Sequence, residues 1–162
     1  MDDPFQQVLS IKLAAFTFSE QLPIIGASLS VILLLICSAL ISGSEVAYFS
    51  LGPAELEEIE GKEDKSIGIL RNLLERPKRL LATILIANNF INVAIVILST
   101  YLSGLLIDQT LSEVTKFVIQ VVVVTFLLLL LGEVIPKVYA NKKPLSLAKF
   151  MAQPLYYIRG IL

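Results

Sequence analysis

The sequence contains no histidine. This absence excludes Ser–His and Cys–His nucleophile pairs, zinc sites with histidine ligands, and imidazole proton relays. The single cysteine, Cys37, lies among leucine and isoleucine residues, so no disulfide can form within one chain, and we expect a packing role for it. Most classes of enzyme chemistry are thereby removed, and we predict that the protein is not an enzyme.

Charged residues are missing from three long stretches. No charge lies between Glu20 and Glu45, between Arg79 and Asp108, or between Lys116 and Glu133. With 56% hydrophobic residues and a mean hydropathy of +0.79, the chain is too apolar for a soluble globule. At about 1.5 Å per residue, the first two stretches can cross roughly 30 Å of hydrocarbon, and the third can do so when extended to Lys137. We predict an all-α membrane protein with three transmembrane helices, at about 22–49, 80–107 and 114–135.

Lysine and arginine are distributed unevenly among the connecting segments. Most of them follow the first span or the third span: Lys62, Lys65, Arg71, Arg76, Lys78, Arg79, Lys137, Lys142, Lys143, Lys149 and Arg159. The short link 106–114 contains none, and the N-terminal segment contains only Lys12. By the positive-inside rule, we predict an N-terminus outside a plasma (inner) membrane, and a loop 53–78 and a C-terminus in the cytoplasm.

The segments outside the spans complete the predicted domain organisation. Residues 1–21 form an extracytoplasmic N-terminal arm, residues 22–144 the transmembrane domain, and residues 145–162 an interfacial helix leading to a cytoplasmic region. Within the loop 53–78, an acidic stretch is followed by an amphipathic pattern, which indicates cytoplasmic juxtamembrane helices.

The residues at the two ends of the chain lead to two further expectations. Asp2 and Asp3 stand where a signal peptide would be basic, so we expect the first span to be retained. No soluble domain precedes Leu162, and we expect the natural protein to continue beyond it.

Polar residues interrupt each of the three spans. The motifs are Ser42-Gly43-Ser44-Glu45, Asn88-Asn89-Phe90-Ile91-Asn92 and Gly132-Glu133-Val134-Ile135-Pro136-Lys137. Polar groups at membrane depth are costly, and they usually face one another, a partner or an ion path. Their oxygen atoms are the ligands that hard cations such as Mg²⁺ prefer. We therefore predict one intramembrane cation site.

Helical geometry indicates which of these residues can share a site. Asn88 and Asn92 lie one turn apart on one helix face, in the inner half to middle of the bilayer. Glu133 precedes Pro136, whose missing N–H frees the carbonyl of Gly132. Because a carboxylate and unsatisfied carbonyl oxygens repel each other, this arrangement favours a cation between them.

Each motif also has a structural interpretation. The asparagines could form interhelical hydrogen bonds, and the Ser-Gly-Ser motif could serve close helix packing. Glu133 could pair with Lys137 one turn away, which contributes only roughly a few tenths of a kcal/mol at an exposed site. Glu45 could be a second acidic ligand or could reach cytoplasmic water.

In their order on three spans, the motifs Ser-Gly-Ser-Glu, Asn-Asn-x-x-Asn and Gly-Glu-x-x-Pro-Lys resemble the transmembrane domain of the CorC, CorB and cyclin M family of Mg²⁺ transporters. The resemblance covers about residues 22–141. It implies an ion site formed by Ser42, Asn88, Asn92 and Glu133, with the Gly132 carbonyl as a further ligand. The other polar residues of the motifs are secondary candidates, namely Ser44, Glu45 and Asn89.

The same resemblance implies a homodimer in a lipid bilayer and Mg²⁺ efflux that Na⁺ entry could drive. We expect no nucleic acid among the partners. The cytoplasmic CBS-pair and CorC-type domains usual in the family are missing from this sequence, so nucleotide regulation is not predicted. Two alternatives stay open: a membrane anchor or scaffold for a CBS-type regulatory domain, without transport, and a carrier of Na⁺ or another cation.

Overall fold

The computed structural model describes residues 4–61, 64–107 and 110–161, with side chains from residue 21 onwards. Every regular element within these ranges is helical, which confirms the predicted all-α class. The elements are α1 (Pro4–Phe49), α2 (Pro53–Ile59), α3 (Lys65–Leu74), α4 (Pro77–Leu106), α5 (Glu113–Leu127), a π-helical segment (Leu128–Val134), α6 (Ile135–Lys142) and α7 (Pro144–Ile161).

Three helices in the described part of the chain are long and apolar enough to cross a membrane, as predicted. They are Gln21–Phe49 of α1, Pro77–Leu106, which is α4, and Glu113–Lys142, which joins α5, the π-helical segment and α6. The spans contain 29, 30 and 30 residues. At about 1.5 Å per residue each reaches about 45 Å, which covers the hydrocarbon core and both interfaces.

Two predicted boundaries differ from the structure. The N-terminal arm 1–21 is not separated from the first span, because α1 begins at Pro4 and residues 5–22 contain no glycine or proline that would end it. The third span does not end near 135, since the helix continues as α6. Pro136 lies in the first turn of α6, directly after the π-helical segment, and does not end the helix.

The helices outside the spans form a layer at one end of the bundle. Helices α2 and α3 occupy the predicted juxtamembrane segment, and the Asp64 carboxylate caps α3 by accepting a hydrogen bond from the Ser66 N–H at 3.2 Å. Helix α7 packs against α3, α1 and α4. Much of the apolar core lies here, formed by residues that include Ile59, Leu70, Leu73, Leu80, Ile84, Met151 and Leu155.

Helix α7 corresponds to the predicted interfacial helix, and one of its faces is buried within the protein. The buried Tyr48 hydroxyl donates a hydrogen bond to the Ala148 carbonyl at 2.9 Å. The Arg159 guanidinium donates to the backbone and side-chain oxygens of Asn72, at 3.2 and 2.5 Å. Two aromatic side chains of α7, Tyr156 and Tyr157, are exposed. Specific polar contacts therefore tie α7 to both α1 and α3.

The third span widens into a π-helix just before its proline. Residues Leu128–Val134 have π-helical geometry, and the Ile135 N–H donates to the Leu130 carbonyl five residues back. In an α-helix, the ring of Pro136 would clash with the carbonyl four residues earlier, that of Gly132. The wider turn relieves this clash, and the disturbance expected at one carbonyl is spread over seven residues. π-helical turns are frequent at functional sites.

Candidate metal site

The first and second spans are joined by a hydrogen bond between Ser38 and Asn92. The Ser38 hydroxyl donates to Asn92 Oδ1 at 2.8 Å, and Asn88 Oδ1 lies 3.4 Å from the same hydroxyl oxygen. Because a hydroxyl has one proton, the shorter contact is the stronger hydrogen bond. Ser38 is fully buried and both asparagines are half-buried. The predicted shared face of Asn88 and Asn92 thus contacts α1.

The third span reaches the same place through its backbone. A Cβ added to Gly132 would lie only 3.0 Å from Ser38 Oγ, so no larger residue fits there without movement. Gly132 is buried, and the next residue, Glu133, is half-buried. The Glu133 carboxylate has no hydrogen bond or ion pair within the described ranges. The Ser38 hydroxyl therefore contacts polar groups of the second span, and the backbone of the third span at Gly132 lies against it.

Ser42 lies one helical turn after Ser38, and its hydroxyl is a buried group without a partner. The residue is 1% exposed, and no hydrogen bond to its Oγ is found among the residues that the structure describes. A buried hydroxyl without a partner costs free energy, so one in a native structure calls for an explanation. A bound cation at the predicted site would supply the missing partner.

The three secondary candidates have other environments. The Ser44 hydroxyl donates to the Leu40 carbonyl of its own helix at 2.6 Å. Glu45 Oε2 lies 3.2 Å from Lys137 Nζ and forms an ion pair with it. Asn89 is on an exposed face of α4. The alternative pairing of Glu133 with Lys137 is wrong in this structure, since Lys137 contacts the carboxylate of another helix.

Ser38 is the residue of this site that the sequence motifs did not identify. It lies one turn before Ser42 on the same face of α1, a spacing of small residues that is equally typical of close helix packing. Its position opposite the asparagines could have been inferred from that shared face. The packing interpretation also holds in part, because a Cβ at Gly43 would lie 3.1 Å from the Leu147 side chain and 3.4 Å from the Pro136 carbonyl oxygen.

The oxygen-bearing side chains of the three motifs suit a hard cation held by few charges. No group of three or more histidine, cysteine, aspartate or glutamate side chains that could hold a metal occurs in the described part of the chain. The available ligands are hydroxyl and amide oxygens and a single carboxylate, that of Glu133. Oxygen-only ligand sets favour Mg²⁺, Ca²⁺ or Mn²⁺ over zinc or copper.

Comparison with known proteins places the chain in a family. Residues 29–162 match the model of the cyclin M transmembrane N-terminal domain. The chain belongs to this family, as its three motifs predicted, and it is a membrane protein.

Two bacterial relatives are similar in sequence. The chain is 32% identical over 121 residues to the UPF0053 inner membrane protein YfjD of Escherichia coli (strain K12), over 73% of this chain and 27% of the relative. It is 30% identical over 121 residues to a UPF0053 protein of Haemophilus influenzae, over 75% of this chain and 28% of that relative. The chain thus spans about a quarter of the length of these relatives.

The close approach of Gly132 to Ser38 predicts that Gly132→Ala destabilises the protein. The added methyl would force the Ser38 hydroxyl away from Asn92, and overpacking of this kind costs about 1–3 kcal/mol. The measurement is the midpoint of thermal unfolding in detergent. Gly26→Ala in α1 is the matched control, because a Cβ there meets nothing within 4 Å. Equal midpoints for both variants would contradict the proposed contact.

Proposed function

We propose that this domain binds Mg²⁺ inside the membrane and transports it across the bilayer, as an efflux system that Na⁺ entry could drive. The ion is held by the side chains of Ser42, Asn88, Asn92 and Glu133, with the Gly132 carbonyl as a further ligand. The observation that carries the proposal is the buried Ser42 hydroxyl without a partner, one helical turn from Ser38, which contacts the oxygens of Asn88 and Asn92 and the backbone of the third span at Gly132.

The composition of the cluster supports a transported ion. One carboxylate neutralises a divalent cation only in part, so neutral amide and hydroxyl oxygens must complete the coordination shell. Mg²⁺ prefers about six oxygens in octahedral geometry and gives up its water slowly. A lightly charged site of this kind releases its ion readily, which transport requires. The π-helical segment that contains Glu133 gives the third span a place where its backbone can rearrange.

The test is Mg²⁺ binding by isothermal titration calorimetry, together with Mg²⁺ flux into proteoliposomes. Asn92→Ala and Glu133→Ala should each weaken binding by about tenfold or more. The first variant removes an oxygen ligand, and the second removes the only negative charge of the proposed site. Both should also slow flux.

Asn89→Ala is the matched control for Asn92→Ala, since the same change is made on an exposed face of the same helix. It should bind Mg²⁺ as the wild type does, whatever its oligomeric state, because all the proposed ligands belong to one chain. If Asn92→Ala and Glu133→Ala bind Mg²⁺ with unchanged affinity, the site is not a Mg²⁺ site. A wild-type protein that forms a stable oligomer but neither binds nor transports Mg²⁺ would instead support the scaffold alternative.

We further propose an orientation in the plasma (inner) membrane with the N-terminus outside and the loop 53–78 in the cytoplasm. The uneven distribution of lysine and arginine supports it, and the Escherichia coli relative is named as an inner membrane protein. The prediction is tested in a Cys37→Ser background with an impermeant maleimide on intact cells. Ser112→Cys, in the link between the second and third spans, should react from outside, and Glu57→Cys in α2 only after lysis. The reverse pattern would invert the orientation.

We also propose that the domain forms a homodimer through the face of α4 that contains Asn89. An exposed amide in the middle of a membrane span is costly unless another polar group covers it. A second copy can supply that group. The mass in detergent, measured by light scattering, should be twice the 17.8 kDa of one chain. Asn89→Ala should shift it towards the monomer, while Asn92→Ala should not. A monomeric wild type would overturn this proposal.

A further inference from the structure

The ion pair between Glu45 and Lys137 lies beside the proposed site and is not part of it. The pair joins α1 to α6 at 3.2 Å, and the two side chains are 30% and 39% exposed. The backbones of α1 and α6 are in close contact next to this pair. A Cβ at Gly43 would lie 3.4 Å from the carbonyl oxygen of Pro136, the residue before Lys137. The two charged residues are therefore held together by the contact of their helices.

Lys137 has a second carboxylate within reach along its own chain. Glu133 precedes it by four residues, the spacing at which acidic and basic side chains meet on a helix. In the structure this pair is not formed, and the Glu133 carboxylate has no ion pair or hydrogen bond in the described part of the chain. A lysine ammonium group paired with Glu133 would neutralise the single charge of the site and repel a divalent cation.

We infer that Glu45 is a positioning residue that holds the Lys137 ammonium group away from Glu133 and so keeps the Glu133 carboxylate available for a divalent cation. This inference rests on the proposed function, since it concerns the affinity of that same site. Glu45 then contributes to cation binding without contacting the ion. The carboxylate of Glu45 pairs with the Lys137 ammonium group, which would otherwise compete with the cation for the Glu133 carboxylate.

The inference predicts an unusual pattern among three variants. Glu45→Gln should weaken Mg²⁺ binding by about tenfold, since Lys137 is released to pair with Glu133. Lys137→Gln should bind Mg²⁺ at least as tightly as the wild type. The double variant Glu45→Gln/Lys137→Gln should recover an affinity within about threefold of the wild type, because the competing charge is gone.

Other roles for Glu45 give different patterns in the same calorimetric titrations. If Glu45 were itself a ligand, the double variant would bind as weakly as Glu45→Gln. If the ion pair served only to hold the helices together, both single variants and the double variant would lose affinity alike. Either result would overturn the inference. The recovered affinity of the double variant also shows that removal of Glu45 does not unfold the protein.

A second measurement needs no metal and separates this inference from the proposed function. Zero-length carbodiimide coupling followed by mass spectrometry should join Glu45 to Lys137 in the wild type, which links two spans. In Glu45→Gln the same reagent should join Lys137 to Glu133, with loss of one water from a single peptide. Absence of the second product would refute the exchange of partners. A wild type that does not bind Mg²⁺ would refute the proposed function, whichever coupling products form.

Discussion

The hydrogen bond between Ser38 and Asn92 is the contact on which the arrangement of the site depends. Within a bilayer, apolar side chains gain little by leaving lipid for one another, so close packing and polar contacts must determine how spans associate. This bond sets the rotation of α4 against α1 and turns Asn88 and Asn92 inwards. Gly132 then allows the third span to approach the same hydroxyl. A different rotation of α4 would turn Asn88 and Asn92 away from α1.

The sequence was sufficient to predict the general architecture. Long stretches without charge identified three spans. The polar motifs were also sufficient for the family, because three weak signals in a fixed order are together specific. Both predictions rest on properties of a single helix, namely the spacing of its residues and the cost of placing charge in hydrocarbon.

The remaining features depend on contacts between helices, which spacing along one helix does not determine. Ser38 had the same shared face as Ser42, yet only the position of α4 distinguishes a polar contact from a packing surface. Spacing along the third span allowed Lys137 to pair with Glu133, whereas its partner is Glu45 on another helix. The π-helical segment follows from Pro136 in hindsight, but a proline can equally produce a kink or a free carbonyl.

Protein packing is concentrated at one end of the molecule, and the third span receives little of it. Only 6% of its most apolar window is buried, compared with 17% and 22% for the first and second spans. Its helix is also longer than a hydrocarbon core of about 30 Å, and a helix with this mismatch tilts to fit the bilayer around it. Membrane thickness therefore acts most directly on this helix, whose π-helical turn contains Glu133. We therefore expect the tilt of this span, and with it the position of Glu133, to vary with the thickness of the bilayer.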